Sequence, residues 1–417
     1  MAASDIAPEA LAQIDALIRE KETRSPVQRK IDSQLLYEMR IKQRVPVANG
    51  IQTVETDVPY ASDGHVIVDI KALLTPGFFA GLAALGVEVI SSNSQGGMLR
   101  AHINIEQVEA LASLPEVTFV QPRQDAIVVR RQSSPLRVTD KVADFLDGAL
   151  PTPANVTPAN SNVLITQTGQ GSRSSEGDVT HLAFAARQAF GANGAGVKIG
   201  VLSNGVTNLA ASQATGDLGP VTVLPGQAGS GDEGTAMLEI IHDLAPAAQL
   251  YFATANSGIT AFANNIRALR AAGCNIIVDD VFYFVETPFQ DGQAASVVSN
   301  TNGGVVIQAV NDVIASGALY FSSAGNSGNL TDGTSGTWEG DFVDGGPTSS
   351  PLPTGTLHSF GGQNFDVITA ASGNPTNLYW SDPLGGSAND YDLFRLNSAG
   401  TAVMASSTNI QNGTQDP

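Results

Sequence analysis

Carboxylates standing where an apolar chain ought to exclude them are the first chemical feature of this sequence. Asp279 and Asp280 sit side by side in Asn275-Ile-Ile-Val-Asp-Asp-Val281, a run that otherwise reads as a buried strand. Burying unpaired carboxylates is costly, so a functional pair, metal binding included, explains them better than packing does. Side chains alternate along a strand, so only one of the two can face a given cleft. Glu233 lies in Gly231-Asp-Glu-Gly-Thr-Ala236, which opens a helix. An acid there complements the helix dipole and could also take a proton from a hydroxyl. Two more groups end apolar strands: Leu202-Ser-Asn-Gly205 and Ser322-Ser-Ala-Gly-Asn-Ser-Gly328. Asn326 suits a turn, and its amide could equally donate to a developing oxyanion.

Three other arrangements carry less. Glu239-Ile-Ile-His242 imitates half of a di-iron site, which needs two copies of the motif, and only one is present. Gly191-Ala-Asn-Gly-Ala-Gly196 would be the loop of a nucleotide-binding α/β protein, but it precedes its strand, whereas a phosphate loop follows one. Cys274 precedes a strand and reads as an inert core thiol. As the single cysteine it rules out an internal disulfide and a Cys-based zinc site.

The elements that must position these residues fall into blocks. Residues 1–64 read as a helical lead segment, its charged helices over 5–45 solvated. Residues 65–131 carry strands at 65–71, 87–90, 98–103 and 117–120 with helices at 76–85 and 105–114. That is βαββαβ, a ferredoxin-like α+β unit; a generic regulatory or RNA-binding domain is the bland alternative. Ser, Thr, Pro and Asn crowd 132–178, an extended linker. Over 179–335 helices alternate with near-continuous apolar strands at 197–202, 221–224, 249–254, 275–281 and 318–322. The fold class is therefore α/β, a parallel sheet with helices on both faces. Such a sheet collects its ligands at the C-terminal ends of its strands, where Ser203, Asp279, Asp280 and Asn326 fall. Over 336–417 helices vanish and five short strands (356–360, 366–370, 377–381, 391–397, 402–406) suggest a partial β-sandwich.

Composition narrows the function. The 417 residues carry 21 Lys+Arg against 40 Asp+Glu, a net charge of −19, which argues against a nucleic-acid partner. The imbalance is concentrated after residue 150, where 6 basic residues face 21 acidic ones. No run of 18 apolar residues occurs, so no membrane span is expected. The acidic, Lys-poor second part has the composition of exported bacterial proteins, a secreted or cell-surface setting, although the start shows no signal peptide.

In this order the motifs resemble the subtilisin-like serine peptidases. Gly196-Val-Lys-Ile-Gly-Val-Leu-Ser-Asn-Gly205 is similar to that family's first catalytic strand, with Ser203 at the usual Asp position. Asp232-Glu-Gly-Thr-Ala-Met237 resembles its His-Gly-Thr helix start, with Glu233 in place of His, as in the serine-carboxyl (sedolisin) branch. There an Asp follows the Glu by four residues; here Met237 stands at that position, so Asp280, or failing it Asp279, is the expected partner. Ala318-Leu-Tyr-Phe-Ser-Ser-Ala-Gly-Asn-Ser-Gly328 resembles the segment whose Asn, here Asn326, supplies the oxyanion hole. The 65–131 unit resembles the family's propeptide, which chaperones and inhibits. The resemblance implies a secreted zymogen that acts on polypeptide substrates, with its own propeptide as a partner. It implies no cofactor and leaves room for structural calcium. The family's Gly-Thr-Ser-x-x-x-Pro nucleophile motif has no good match. Gly333-Thr-Ser335 lies nine residues past Asn326 and has Glu339 where the proline belongs. The expectation is a chain that ends inside an inserted, incomplete sandwich before the nucleophile and is inactive as it stands. The alternative is a catalytically inactive, peptidase-like protein that binds peptides.

Overall fold

The computed structural model describes residues 5–127, 171–284, 286, 304–326, 328–348, 354–368 and 376–417. Most of the expected linker, residues 128–131 of the propeptide-like unit and parts of 336–417 lie outside them. The first helix, α1 (Pro8–Glu22), takes Pro at its first turn, where a missing N–H costs nothing. The second, α2 (Ser33–Gln43), is capped by the Asp32 carboxylate, which accepts from Gln34 N at 2.8 Å. Next comes βαββαβ: β1 (Val66–Ala72), α3 (Pro76–Ala84), β2 (Glu88–Asn93), β3 (Met98–Ile103), α4 (Val108–Ala112) and β4 (Val117–Pro122). The four strands form an antiparallel sheet in the order β2-β3-β1-β4. One face, with Val66, Val68, Ile70, Leu99, Ala101 and Ile103, is buried in one core with Phe78, Leu82 and Leu111.

The α/β block holds α5 (Glu176–Thr180), α6 (Ala183–Phe190), β5 (Lys198–Ser203), α7 (Leu209–Thr215), β6 (Val221–Val223), α8 (Glu233–Leu244), β7 (Gln249–Thr254), α9 (Ile259–Ala271), β8 (Ile276–Asp279), α10 (Val305–Ala315) and β9 (Leu319–Ser322). Its five strands form a parallel sheet in the order β6-β7-β5-β8-β9. Val201 and Phe252 pack with Leu238 of α8 on one face; Leu202, Ala253 and Ile277 pack with α9 and α10 on the other. Before β5 the chain forms two short helices, α5 and α6, separated at Leu182, whose φ is 57°. Helix α7 was not foreseen. Residues 171–178, expected as linker, are docked: Ser172 Oγ and Arg173 N donate to Asp217, and Ser175 N and Oγ to Asp243.

Two expectations need correction. The lead segment is not solvated. Ala10, Ile14 and Leu17 of α1 are buried in a core that also takes Val403, Phe394 and Leu396 of a C-terminal hairpin. The charges are neutralised there as well: Lys21 Nζ lies 2.6 Å from Asp390 and 2.8 Å from Asp392, and Arg24 donates to Thr408 O at 2.7 Å. The C-terminal region forms two separate hairpins, β10 (Asp344–Pro347) with β11 (Thr356–His358) and β12 (Leu393–Leu396) with β13 (Val403–Ser407), rather than strands of one sandwich. Neither 366–368 nor 377–381 is extended into a sheet. Alternation marks where a strand could form, but a strand needs a neighbour to bond. The β12-β13 pair is packed instead against helices α1 and α2. No helix among the described residues is long and apolar enough to cross a membrane.

The ferredoxin-like unit docks by its other face. Asn93 and Asn264 exchange bonds, Asn93 Nδ2 to Asn264 Oδ1 at 3.1 Å and Asn264 Nδ2 to Ser92 O at 3.0 Å. Met98 enters the core of α9. Arg100 makes a bidentate pair with Asp69, 2.7 and 2.8 Å, both side chains buried. Its guanidinium fills the space above Gly258, whose φ is 89° and where a Cβ would stand 2.2 Å from Arg100 Cζ. The chain then runs on from β4, and Ile127 pairs antiparallel with Phe282, N–H to O at 2.8 and 3.0 Å.

The shared core at the two chain ends is open to test. Leu17→Ala should destabilise the protein by about 2–5 kcal/mol, the usual cost of emptying a buried leucine site. Denaturant unfolding would show it as a lower midpoint, and a change under about 0.5 kcal/mol would mean that α1 is not held by the hairpin.

Candidate active site

Strands β5 and β8 are neighbours, with Leu202 opposite Asp279. One step further this register sets Ser203 beside Asp280. Ser203 ends β5 and Asp280 follows β8, both at the C-terminal edge of the sheet where the strand order reverses, the usual ligand crevice of such folds. The face they share is that of α8, whose first residue is Glu233.

The start of α8 is held by the turn after β5. Asn204 Oδ1 accepts from Glu233 N at 3.1 Å. Asn204 O in turn accepts from Ser230 N at 3.1 Å and from Thr254 Oγ1 at 2.9 Å. Asp232 accepts from Asn208 N at 2.6 Å and Asn208 Nδ2 at 2.5 Å, tying the beginnings of α7 and α8 together. Close approach makes two glycines necessary: a Cβ on Gly205 would stand 2.4 Å from Ser230 N, and one on Gly234 2.4 Å from the Phe252 ring.

Glu233 and Asp280 are hydrogen-bonded side chain to side chain. Burial pushes the Asp280 carboxyl above its ordinary value, opposed by Ser203 and by the bond with Glu233. Ser203 lies close enough for its dipole to favour the carboxylate but outside hydrogen-bonding geometry. Its Oγ and Asp280 Oδ1 are both buried without a hydrogen-bond partner. An unsatisfied buried acceptor costs about 1–3 kcal/mol, and such atoms mark sites kept for function. A carboxyl pair placed this way can take a proton from a hydroxyl or return one.

Asp279, the other candidate partner of Glu233, is on the opposite face. Tyr320 OH donates to its Oδ2 at 2.5 Å and Ser322 Oγ to its Oδ1 at 2.8 Å. Burial raises it to about 6, partly offset by the Tyr320 and Ser322 bonds. Asn326 is exposed, four residues past the end of β9, the strand next to β8. Ser335 bonds within its own loop, its Oγ donating to Thr337 O at 3.1 Å and accepting from Thr337 N at 3.2 Å. Cys274 is buried and its thiol is pushed up to about 11. The structure thus brings Ser203, Glu233 and Asp280 together, leaves Asn326 on the same edge, and turns Asp279 to the opposite face. Sequence reasoning passed over Asn204 and Thr254, which hold the start of α8. Asn204 stood inside a quoted motif; Thr254 carried no signal, since its role exists only once β7 lies beside β5.

No protein-family model matches the chain, and no curated sequence matches it. Among solved structures it is similar to fervidolysin from Fervidobacterium pennivorans, a keratinolytic enzyme related to subtilisin, at 14% identity and a TM-score of 0.36 over 67% of this chain and 42% of that one. It is also similar to the epidermin leader peptide processing serine protease of Staphylococcus aureus, at 10% identity and a TM-score of 0.34 over 64% of this chain and 62% of that one. The chain matches less than two thirds of either protein's length. Likenesses this remote carry no weight for the chemistry, which rests on the geometry above.

Asp279 makes stability depend on pH in a stated direction. Folded, it holds its proton up to about pH 6; unfolded, it releases it near 3.9. Between those values the folded state binds more protons, so stability falls as pH rises from about 4 to 6 and then levels off. Asp279→Asn should remove that decline and raise stability at pH 7.5 by about 2–3 kcal/mol. Denaturant midpoints at a series of pH values would check it, and an Asn variant less stable than the parent at pH 7.5 would contradict it.

Proposed function

We propose that this chain carries the base and the oxyanion donor of a serine endopeptidase of the subtilase kind, with a carboxyl pair in the role usually given to His and Asp. The reading is carried by the pairing of Glu233, at the start of α8, with Asp280, the residue after β8: the Glu233 side chain offsets part of the rise that burial gives the Asp280 carboxyl. A serine hydroxyl attacks the peptide carbonyl while its proton passes to Glu233, and Asp280 orients Glu233 and shares the proton. The carbonyl oxygen gains negative charge and is stabilised by the Asn326 amide. Collapse expels the amine, which takes the proton from Glu233, and water then releases the acyl group by the same steps reversed. Ser203 is fully buried and cannot reach a substrate; its hydroxyl favours the charged form of Asp280.

The ferredoxin-like unit fits the role of a propeptide. Its exit segment bonds to Phe282, two residues beyond Asp280, through one antiparallel bridge from Ile127. A polypeptide substrate would take the same path once that segment left. Secretion as a zymogen follows from this reading.

The test is peptide hydrolysis and labelling by a serine-directed phosphonate in the intact gene product. Glu233→Gln and Asp280→Asn should each lower kcat by about 10²–10⁴-fold, the range of general-base catalysis, with KM little changed. Ser335→Ala should leave labelling unaltered. An imidazole base of pKa about 6.5 would be mostly protonated at pH 5. A carboxylate base, ordinarily about 4.3, stays ionised to lower pH than an imidazole, so kcat/KM should fall at lower pH than a histidine base would allow. Parental activity in Glu233→Gln, or a profile that collapses near pH 6.5, would reject the carboxyl base.

A further inference from the structure

At the outer end of the ferredoxin-like sheet, away from the carboxyl pair in sequence and on other elements, two imidazoles and a carboxylate converge. Asp63 and His65 belong to the turn that leads into β1, and His102 lies on β3 opposite Ile67. Asp63 Oδ2 is 3.2 Å from His65 Nδ1, and Asp63 Oδ1 is 3.4 Å from His102 Nε2. One donor atom from each residue lies within 4.8 Å of the others, the one such group among the described residues.

Ion pairing does not account for the arrangement. The side chains make no hydrogen bond with one another, and His65 Nδ1 is out of solvent without a hydrogen-bond partner despite the carboxylate 3.2 Å away. The two separations, each to a different oxygen of the one carboxylate, are instead close to the edge length of a coordination tetrahedron. Bonds of about 2.0–2.1 Å to nitrogen and oxygen give edges of about 3.3–3.4 Å. The carboxylate is already oriented, because its own turn directs His65 N onto Asp63 Oδ1 at 3.1 Å. That turn is closed by Ala61 N to His65 O at 2.8 Å and Gly64 N to Ala61 O at 3.0 Å, with Gly64 at φ 85°. The second nitrogen of His102 faces Glu88 Oε2 at 3.7 Å, on the strand paired with β3. At that distance there is no hydrogen bond, but the Glu88 charge favours an N–H at His102 Nδ1 and leaves Nε2 for a metal.

We propose that Asp63, His65 and His102 bind a zinc-class divalent cation through the Asp63 carboxylate, His65 Nδ1 and His102 Nε2. The donor set, two nitrogens and one oxygen, suits Zn²⁺ and not calcium, which takes six to eight oxygens. Half-exposed Asp63 leaves the remaining coordination position to water. The ion clamps the 61–64 turn to β3, the strand that carries Arg100 into the docking surface, and so stabilises the unit as it sits on α9. The proposal is independent of the peptidase reading.

The experiment uses the 417-residue chain stripped of metal and titrated with Zn²⁺ by calorimetry, and with Co²⁺ by visible absorption. One equivalent should bind, with the bands of a four-coordinate Co²⁺ site and a higher thermal midpoint. The double variant His65→Ala/His102→Ala should lose binding by at least about 100-fold, and Glu88→Gln should weaken it by about 10-fold or more. His181, His242 and His358 stay in place as internal controls. In case the double variant folds poorly, imidazole NMR of the parent provides a second measurement: Zn²⁺ should shift His65 and His102 and leave the other three unchanged. Absence of saturable binding, unchanged affinity in the folded double variant, or shifts confined to the other histidines would overturn the proposal.

Discussion

The parallel pairing of β5 with β8 is the constraint on which the site depends. Once Leu202 lies opposite Asp279, the pleat sends Asp280 toward α8 and Asp279 toward α9 and α10. Two adjacent carboxyls are thereby given opposite surroundings. One meets Glu233 across a helix start; the other is enclosed by two hydroxyl donors. A slip of one residue would exchange them, leaving Glu233 without its partner and exposing the Asp279 hydroxyl cage to the wrong face.

That pairing would mean little if α8 were free to shift. Its first turn is fixed by the backbone of the β5 turn, through Asn204 and the close approach of Gly205 to Ser230 and Gly234 to Phe252. The glycines let chain segments approach to distances a side chain would forbid. Thr254, at the end of β7, braces the Asn204 carbonyl from the next strand. Three neighbouring elements therefore locate one carboxylate, which is what precise proton transfer requires.

The ferredoxin-like unit is fitted to the α/β block by polar and apolar contacts together. Arg100 is buried with its carboxylate partner rather than alone, which avoids the penalty of an uncompensated charge. At the other end of the molecule, charges on α1 are answered by Asp390 and Asp392 more than 360 residues away. Burial of charge is tolerated in both places because each charge is buried with a partner of opposite sign.

Local patterning determined a great deal. Alternation and helical spacing gave β3 and β7 to the residue, the βαββαβ order, and the five parallel strands, because these patterns follow from which faces must be dry. Residue chemistry picked out Glu233, Asp279, Asp280, Ser203 and Asn326 as groups an apolar sheet would not carry idly. The sequence could narrow the partner of Glu233 to two adjacent aspartates but could not choose, because the choice depends on the register between strands about 75 residues apart. It likewise read Lys21 and Arg24 as solvated, since Asp390, Asp392 and Thr408, which they meet, come from the far end of the chain, and read strands into 366–368 and 377–381 that find no neighbour. Periodicity reports what each segment can bury. Which segment meets which is a long-range pairing, settled by the tertiary structure alone.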